Sequence, residues 1–539
     1  MNYEIVHAHE WLYPDSEARE DGAKAIELAA ARGGHAGCQL LLNGAVPGAP
    51  LRAAFRGRPR AEGGRGEPEA ELYRLRDILV ERNTGPVGFC LQPGESAAGY
   101  ATRAAPFRLF EALRPLTADA VAEAPTEALY VCWAIPADSE PGAYVGGLTV
   151  EAGSEAVRIP VRIDVCAAAV PARETLAVTN WFSLANMASR YGLEAWSELH
   201  WAMIRKYGLL MRRARQTHFW VPLEAVAVEL AGEHRYRFDF ARAERLIRLY
   251  LGLGFTGIEG GLLAGRKDFR DAEFHVWNTW NGGEALRAVA AEGYAFLAQY
   301  LTAWRAFLEE NGWLPLLVQH VADEPTENSK HEYRMLSAIV RKFLPGVPLL
   351  EAVETHDLGG AVDIWIPKNV YYEEHRAAFE EIRSLGDRLW FYTCCYPGGA
   401  YLNRLWDMPL LRTRYLHWAN YLYGLDGFLH WGLNHCDADK DPYEQTGLLF
   451  PPGDTHLVYP GADGPLGSMR LEAMRAGLED YELLRLLAAK DKAAADAIVA
   501  DCLSSFHEMN EDADHFAAAH RRLLAAASEA CMTEGGETP

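Results

Sequence analysis

Positive charge is scarce in this sequence of 539 residues: 52 Lys and Arg stand against 74 Asp and Glu, for a formal net charge of −22 at pH 7. Such a chain repels phosphate backbones and anionic lipid, so nucleic acid and membrane surfaces are not expected partners, and a neutral or weakly charged substrate fits better. Cysteine is sparse as well. The nine, at Cys38, Cys90, Cys132, Cys166, Cys394, Cys395, Cys436, Cys502 and Cys531, are odd in number and lack C-x-x-C spacing, which argues against a disulfide framework and for a reducing cytoplasm. No uninterrupted apolar run reaches eighteen residues. The opening Met1-Asn2-Tyr3-Glu4-Ile5-Val6-His7 has neither a basic n-region nor an apolar h-region, so neither a membrane span nor an export signal is expected. Phosphate-cradling glycine motifs and a flanked Ser-His-Asp pattern are also missing. No cofactor is expected.

What is present is core and aromatic surface. At this length single cores stop growing, so two or more domains are expected. The 15 Trp and 24 Tyr offer ample surface for stacking on ligands. Through residue 172 the chain reads as short β segments punctuated by glycine and proline, including Cys38 to Leu42, Leu72 to Glu81, Ala128 to Ile135, Tyr144 to Val150 and Val157 to Val165. The last alternates apolar and polar residues as a half-buried strand does. The expectation is an N-terminal antiparallel β-sandwich domain over 1–172.

From Thr175 apolar strands alternate with amphipathic helices, the signature of a parallel α/β arrangement. Eight strand candidates, Leu176 to Phe182, His218 to Pro222, Thr256 to Leu262, Leu314 to Ala322, Leu349 to Val353, Val362 to Ile366, Arg388 to Thr393 and Gly427 to Leu433, predict a (β/α)8 TIM-type barrel over 173–490. The fifth and sixth are separated only by residues 354–361, short for a parallel crossover, so one unit is expected to be degenerate. The 265–283 stretch, with Trp277 and Trp280, is too long for a plain connection and is expected to form part of a binding wall. Ser468 to Leu487 is predicted as the eighth helix of the barrel, with Arg475 and Glu479 paired across one turn. A helical extension follows over 491–539, expected to cover the barrel or to form an oligomer contact such as a homodimer's.

Within this frame the most informative residues are Asp323 and Glu324. The run Leu317-Val318-Gln319-His320-Val321-Ala322 delivers both acids to a strand's carboxyl end, and Pro325 cannot continue the ladder. Barrel enzymes place their chemistry at such ends. The same tripeptide also fits a plain strand exit with acids near a helix N-terminus. His320 shares parity with Glu324 along an extended strand, so it lies beneath the acid either as a pocket residue or as a core histidine. Other strand-end candidates for substrate binding are Trp181, Glu259, Tyr371, Tyr372, Tyr396, Trp431 and Asn434, aromatics for stacking on a sugar ring and polar groups for its rim. Each also has a reading as core packing, and Trp431 and Asn434 share a face only if the chain bends there. The cluster His435, Cys436, Asp437, Asp439 and Asp441 lacks the glycine and distal glutamate of a calcium loop and is read as a solvated loop, with no metal site.

Four stretches together resemble glycoside hydrolase family 123: Asp323-Glu324-Pro325; Leu429-His430-Trp431-Gly432-Leu433-Asn434; Tyr459-Pro460-Gly461 with Ser468-Met469-Arg470-Leu471-Glu472; and Arg475-Ala476-Gly477-Leu478-Glu479-Asp480-Tyr481-Glu482. The resemblance covers nearly the whole chain. It implies a sandwich followed by a catalytic barrel, and a retaining β-N-acetylgalactosaminidase in which the substrate's own 2-acetamido oxygen is the nucleophile. On that resemblance Glu324 is general acid and then base, Asp323 holds the acetamido N–H, and the substrate is a small oligosaccharide or glycoconjugate with terminal β-linked N-acetylgalactosamine. Such a division of labour needs Asp323 ionised while Glu324 carries a proton. A β-glycosidase of other specificity, for N-acetylglucosaminides or sugars without the acetamide, and a non-catalytic carbohydrate-binding barrel remain as alternatives.

Overall fold

The computed structural model describes residues 1–60, 67–277, 285–445, 447 and 449–532. Trp280 and the tail from Thr533 lie outside the described residues. The protein is mixed α and β and divides into two compact units. One comprises Met1–Thr175, Cys395–Gly424 and Asn434–Pro539; the other comprises Leu176–Cys394 and Leu425–Leu433.

The first unit is built on two sheets. One has five strands in the order Asn2–His7, His35–Asn43, Thr126–Ala134, Glu69–Val80, Phe107–Pro115. The other has four in the order Ile26–Arg32, Glu155–Ala169, Gly142–Ala152, Leu51–Arg60. All pairings are antiparallel except Ile26–Arg32 with Glu155–Ala169, which run parallel. The alternation read in Val157 to Val165 is realised: Ile159, Val161, Ile163 and Val165 are buried and Arg158, Pro160, Arg162 and Asp164 are exposed. Those four side chains share one core with Leu40, Leu129, Trp133 and Tyr144, so the two sheets face each other across it. Each such burial stabilises by roughly 1.5–3 kcal/mol.

The opposite face of the five-stranded sheet is also covered. Leu75, Ile78, Leu109 and Phe110 share a second core with Trp406, Leu410, Met469 and Ala473. The first boundary falls at residues 175 and 176, close to the expected 172, while no boundary falls at 490: the helices Leu410–Tyr423 and Met469–Ala488 complete the sheet unit. The helix expected to be the eighth of a barrel is thus part of the first unit. Ser468 caps it, its hydroxyl accepting from Leu471 N–H at 3.0 Å. Arg475 pairs one turn back with Glu472, and the Glu479 carboxylate takes the His35 ring at 2.7 Å.

In the second unit each of the eight expected strand segments contains strand: Ala177–Asn180, His218–Val221, Gly257–Gly260, Leu317–Gln319, Leu350–Val353, Ile364–Pro367, Arg388–Leu389 with Phe391–Tyr392, and Gly427–His430. Every ladder between them is parallel. Parallel bridges Gln319 to Leu349 and Lys368 to Tyr392 join the ladders. Thr217 N–H donates to the Val178 carbonyl at 3.1 Å. The order therefore runs from first strand to eighth and returns to the first. No helix lies between Val353 and Ile364, as the short 354–361 spacing predicts. The run from Leu314 differs in opening as a 3₁₀ turn over Leu314–Leu316, with Pro315 in its first positions. Close approach explains Gly260, where an added Cβ would lie 2.1 Å from Gln319 Oε1. Among the described residues no helix is long and apolar enough to cross a membrane.

The sheet unit depends on one buried ion pair. Arg470 and Glu111 meet at 2.6 Å, both without exposed side-chain surface, and Arg470 also donates to the carbonyls of Arg404, Gly453 and His456. Removing one partner of such a pair strands the other. Arg470→Met is expected to destabilise this unit by about 3–5 kcal/mol, while Glu111→Leu/Arg470→Met recovers part of that loss. Thermal unfolding of both variants checks this, and an unchanged midpoint for Arg470→Met contradicts it.

Candidate active site

The acid pair follows the fourth parallel strand, on the side where the strands' carboxyl ends emerge. The first residues to read are the ones below it. His320 is fully buried, with Nε2 at 2.6 Å from Glu259 and Nδ1 at 2.8 Å from Glu351. Burial opposes charge on this ring, yet the Glu351 charge and the hydrogen bonds to both carboxylates outweigh it and push its pKa up to about 10. Burial likewise pushes Glu259 up, but the His320 contact and bonds from Thr179 and Trp181 prevail and hold it below the ordinary carboxylate range. His320 is therefore an imidazolium at neutral pH.

Glu351 does more than balance that charge. Its Oε2 accepts from the backbone N–H of Val321 and of Ala322, each at 2.9 Å, and from the Tyr333 hydroxyl at 3.1 Å. It thereby fixes the two residues immediately before the acid pair. Trp181 donates its indole N–H to Glu259 at 2.6 Å and stacks on Trp220 at 5.1 Å. Trp181, Glu259 and His320 thus stand together as a buried layer beneath the acids.

Above this layer Glu324 has φ +47°, the left-handed region that non-glycine residues rarely adopt. Arg266 anchors the turn, donating to the carbonyls of Asp323 at 3.2 Å and Glu324 at 2.8 Å. The bend aims the two side chains differently. The Glu324 carboxylate accepts from Lys368 Nζ at 3.0 Å and from the Tyr392 hydroxyl. The half-buried Asp323 carboxyl accepts no hydrogen bond from any described residue and stays open to a ligand. Burial, then the charges of Glu324 and Glu351, push Asp323 up to about 8.

The raised Asp323 differs from the expectation that it is the ionised partner. Among the described residues no side chain donates to its carboxyl, whereas Glu324 has an ammonium and a hydroxyl.

The remaining candidates scatter. Tyr371 bonds His356 at 3.1 Å. Tyr372 is buried against the helix Arg376–Ser384, its hydroxyl on Glu380 and its ring 6.1 Å from Phe379, so it serves packing instead of a ligand. Trp431 is half-buried at the end of the eighth strand. Tyr396 and Asn434 belong to the other compact unit. Trp277, at the end of the described part of the long loop, is 43% exposed. Asp437, Asp439 and Asp441 are exposed, and Asp441 caps Tyr443 N–H at 2.9 Å. Among the described residues no group of three or more His, Cys, Asp and Glu side chains is arranged to hold a metal ion.

Sequence reading passed over Arg266, Glu351, Glu354, Lys368 and Tyr392. Three of them carried the signal that found the acids: Glu354 and Lys368 immediately follow the fifth and sixth strands, and Tyr392 ends the seventh.

The sequence model of the glycoside hydrolase 123 catalytic domain matches residues 181–487, and the chain belongs to glycoside hydrolase family 123. The fold agrees: a family 123 glycoside hydrolase from Clostridium perfringens, described for glycolipid glycan hydrolysis, matches with a TM-score of 0.78 at 14% identity over 99% of each chain. A GH10 xylanase with a bacterial Ig-like domain from termite gut matches at a TM-score of 0.34 and 11% identity, over 68% of this chain and 92% of its own. That likeness is too low to bear on the fold. A comparison with curated protein sequences finds no match.

The buried imidazolium has a pH signature. Its folded pKa lies above the unfolded value near 6.5, so its contribution to stability is full below about pH 6.5 and is lost as pH rises through about 10. His320→Gln is therefore expected to lower the unfolding temperature most at pH 6, with the gap to the parent protein narrowing steadily toward pH 10. A gap that is independent of pH contradicts a charged His320.

Proposed function

We propose that the protein is a retaining exo-β-N-acetylgalactosaminidase that uses the substrate's 2-acetamido group as nucleophile. The observation that carries this reading is the Asp323 carboxyl, which accepts from no described residue, placed beside a Glu324 whose carboxyl is already held. The acetamido N–H donates to Asp323, which turns the carbonyl oxygen toward the anomeric carbon and stabilises the positive charge of the oxazolinium. Glu324 protonates the departing glycosidic oxygen, then takes a proton from the water that opens the oxazolinium. Two inversions give net retention.

The buried layer of Trp181, Glu259 and His320 positions the acids from below. Trp431 and Tyr371 are the candidates left to meet the sugar directly. The parallel ring is read as a (β/α)8 barrel and the two facing sheets as a β-sandwich. The preference for galactosaminides rests on family membership. A glycoconjugate substrate is in keeping with the glycolipid glycans of the Clostridium perfringens relative. The nine free cysteines suit a cytoplasmic enzyme.

Hydrolysis of aryl β-glycosides with and without the 2-acetamido group tests the reading. Activity is expected only on acetamido sugars, with the galacto configuration preferred. Glu324→Gln should lose roughly 10²–10⁴-fold on poor leaving groups and much less on good ones. Asp323→Asn should lose activity on all of them alike. Equal turnover of sugars lacking the acetamide contradicts the proposal.

A further inference from the structure

Glu354 has no part in the reaction as derived so far, yet it is built into the acid's surroundings. It follows the fifth strand, its backbone N–H bonded to the Pro325 carbonyl at 3.1 Å. Its Oε1 meets the Tyr392 hydroxyl at 2.9 Å and Lys368 Nζ. The same hydroxyl and the same ammonium meet Oε1 of Glu324. The two carboxyl side chains are 22% and 23% exposed and Lys368 only 9%, so bulk water screens this cluster weakly.

Counting protons decides what the cluster holds. A phenol carries one hydrogen, given to one carboxylate or shared between two. Burial and then the Glu324 charge push the Tyr392 pKa well above the ordinary value, so the hydroxyl keeps that hydrogen. With one further proton on Glu324 or Glu354 both contacts are full hydrogen bonds, and the hydroxyl links the two carboxyls as a relay.

We infer that Glu354 is a positioning residue that stores the acid's proton and delivers it to Glu324 through the Tyr392 hydroxyl. The inference rests on Glu324 being the general acid. In the transfer the Glu354 O–H bond breaks and its proton joins the Tyr392 oxygen, while the Tyr392 proton passes to Glu324. Two O–H bonds break, two form, and the negative charge moves from Glu324 to Glu354. Glu354 also divides the attention of Lys368, which on its own would favour an ionised acid. The other charged or titratable groups facing the cluster are Asp323, Cys394 and Arg266, with Glu351 and His320 behind Asp323.

The test is the pH profile of kcat/KM on N-acetylgalactosaminides with poor and good leaving groups. Glu354→Gln removes the second carboxylate from Lys368 and leaves that of Glu324. Its basic limb is expected to move down by roughly one pH unit or more, with the loss confined to poor leaving groups and recovered on acidification. Lys368→Met removes the cation and should move the limb the opposite way, which keeps the inference open to refutation if Glu354→Gln fails to fold. An unmoved limb in either folded variant, or a loss equal at every pH and for every leaving group, overturns the relay. Glu324→Gln measured alongside separates the two claims. Wild-type rates on poor leaving groups in that variant overturn the assignment of the acid itself; leaving-group sensitivity there with an unmoved limb in Glu354→Gln overturns the relay alone.

Discussion

A buried imidazolium between two buried carboxylates is the interaction on which the site depends. His320 links Glu259 of the third strand to Glu351 of the fifth through its own fourth strand, at 2.6 and 2.8 Å. Three charges out of water are costly separately, and they persist because each is paired and hydrogen-bonded. Glu351 converts that electrostatic tie into geometry by gripping the backbone of Val321 and Ala322. The turn that follows then holds Glu324 at a positive φ, with Arg266 as a further anchor on its carbonyl.

Rigidity below permits asymmetry above. Asp323 and Glu324 are adjacent in sequence, and similar surroundings would give two similar acids. The left-handed turn separates them, leaving one carboxyl on Lys368 and Tyr392 and the other open.

The parallel strands were legible in the sequence because most of them are apolar runs buried on both sides, a pattern that no surface helix shares. Asp323 and Glu324 were legible because they end such a run. The strands Asn2–His7, Ile26–Arg32, Leu51–Arg60 and Phe107–Pro115 were not, since weak or absent alternation leaves them to be defined by their neighbours in the sheet. Neither was the place of the helix Met469–Ala488, because an amphipathic pattern tells which face is buried and not what buries it. Tyr372 shows the same limit: its number in the chain puts it after a strand, and its rotamer turns it to Glu380. Glu354 and Lys368 stand at strand ends and could have been read there, whereas Arg266 became visible only when long-range contacts brought it to the turn.

The central claim is that the acetamido oxygen, and no protein group, attacks the anomeric carbon. Proton NMR of the first-formed sugar released from an aryl β-N-acetylgalactosaminide tests it most directly. The account predicts that the β anomer forms first and then mutarotates, and that a thiazoline analogue of the oxazolinium binds far more tightly than the product sugar. The α anomer appearing first would contradict it.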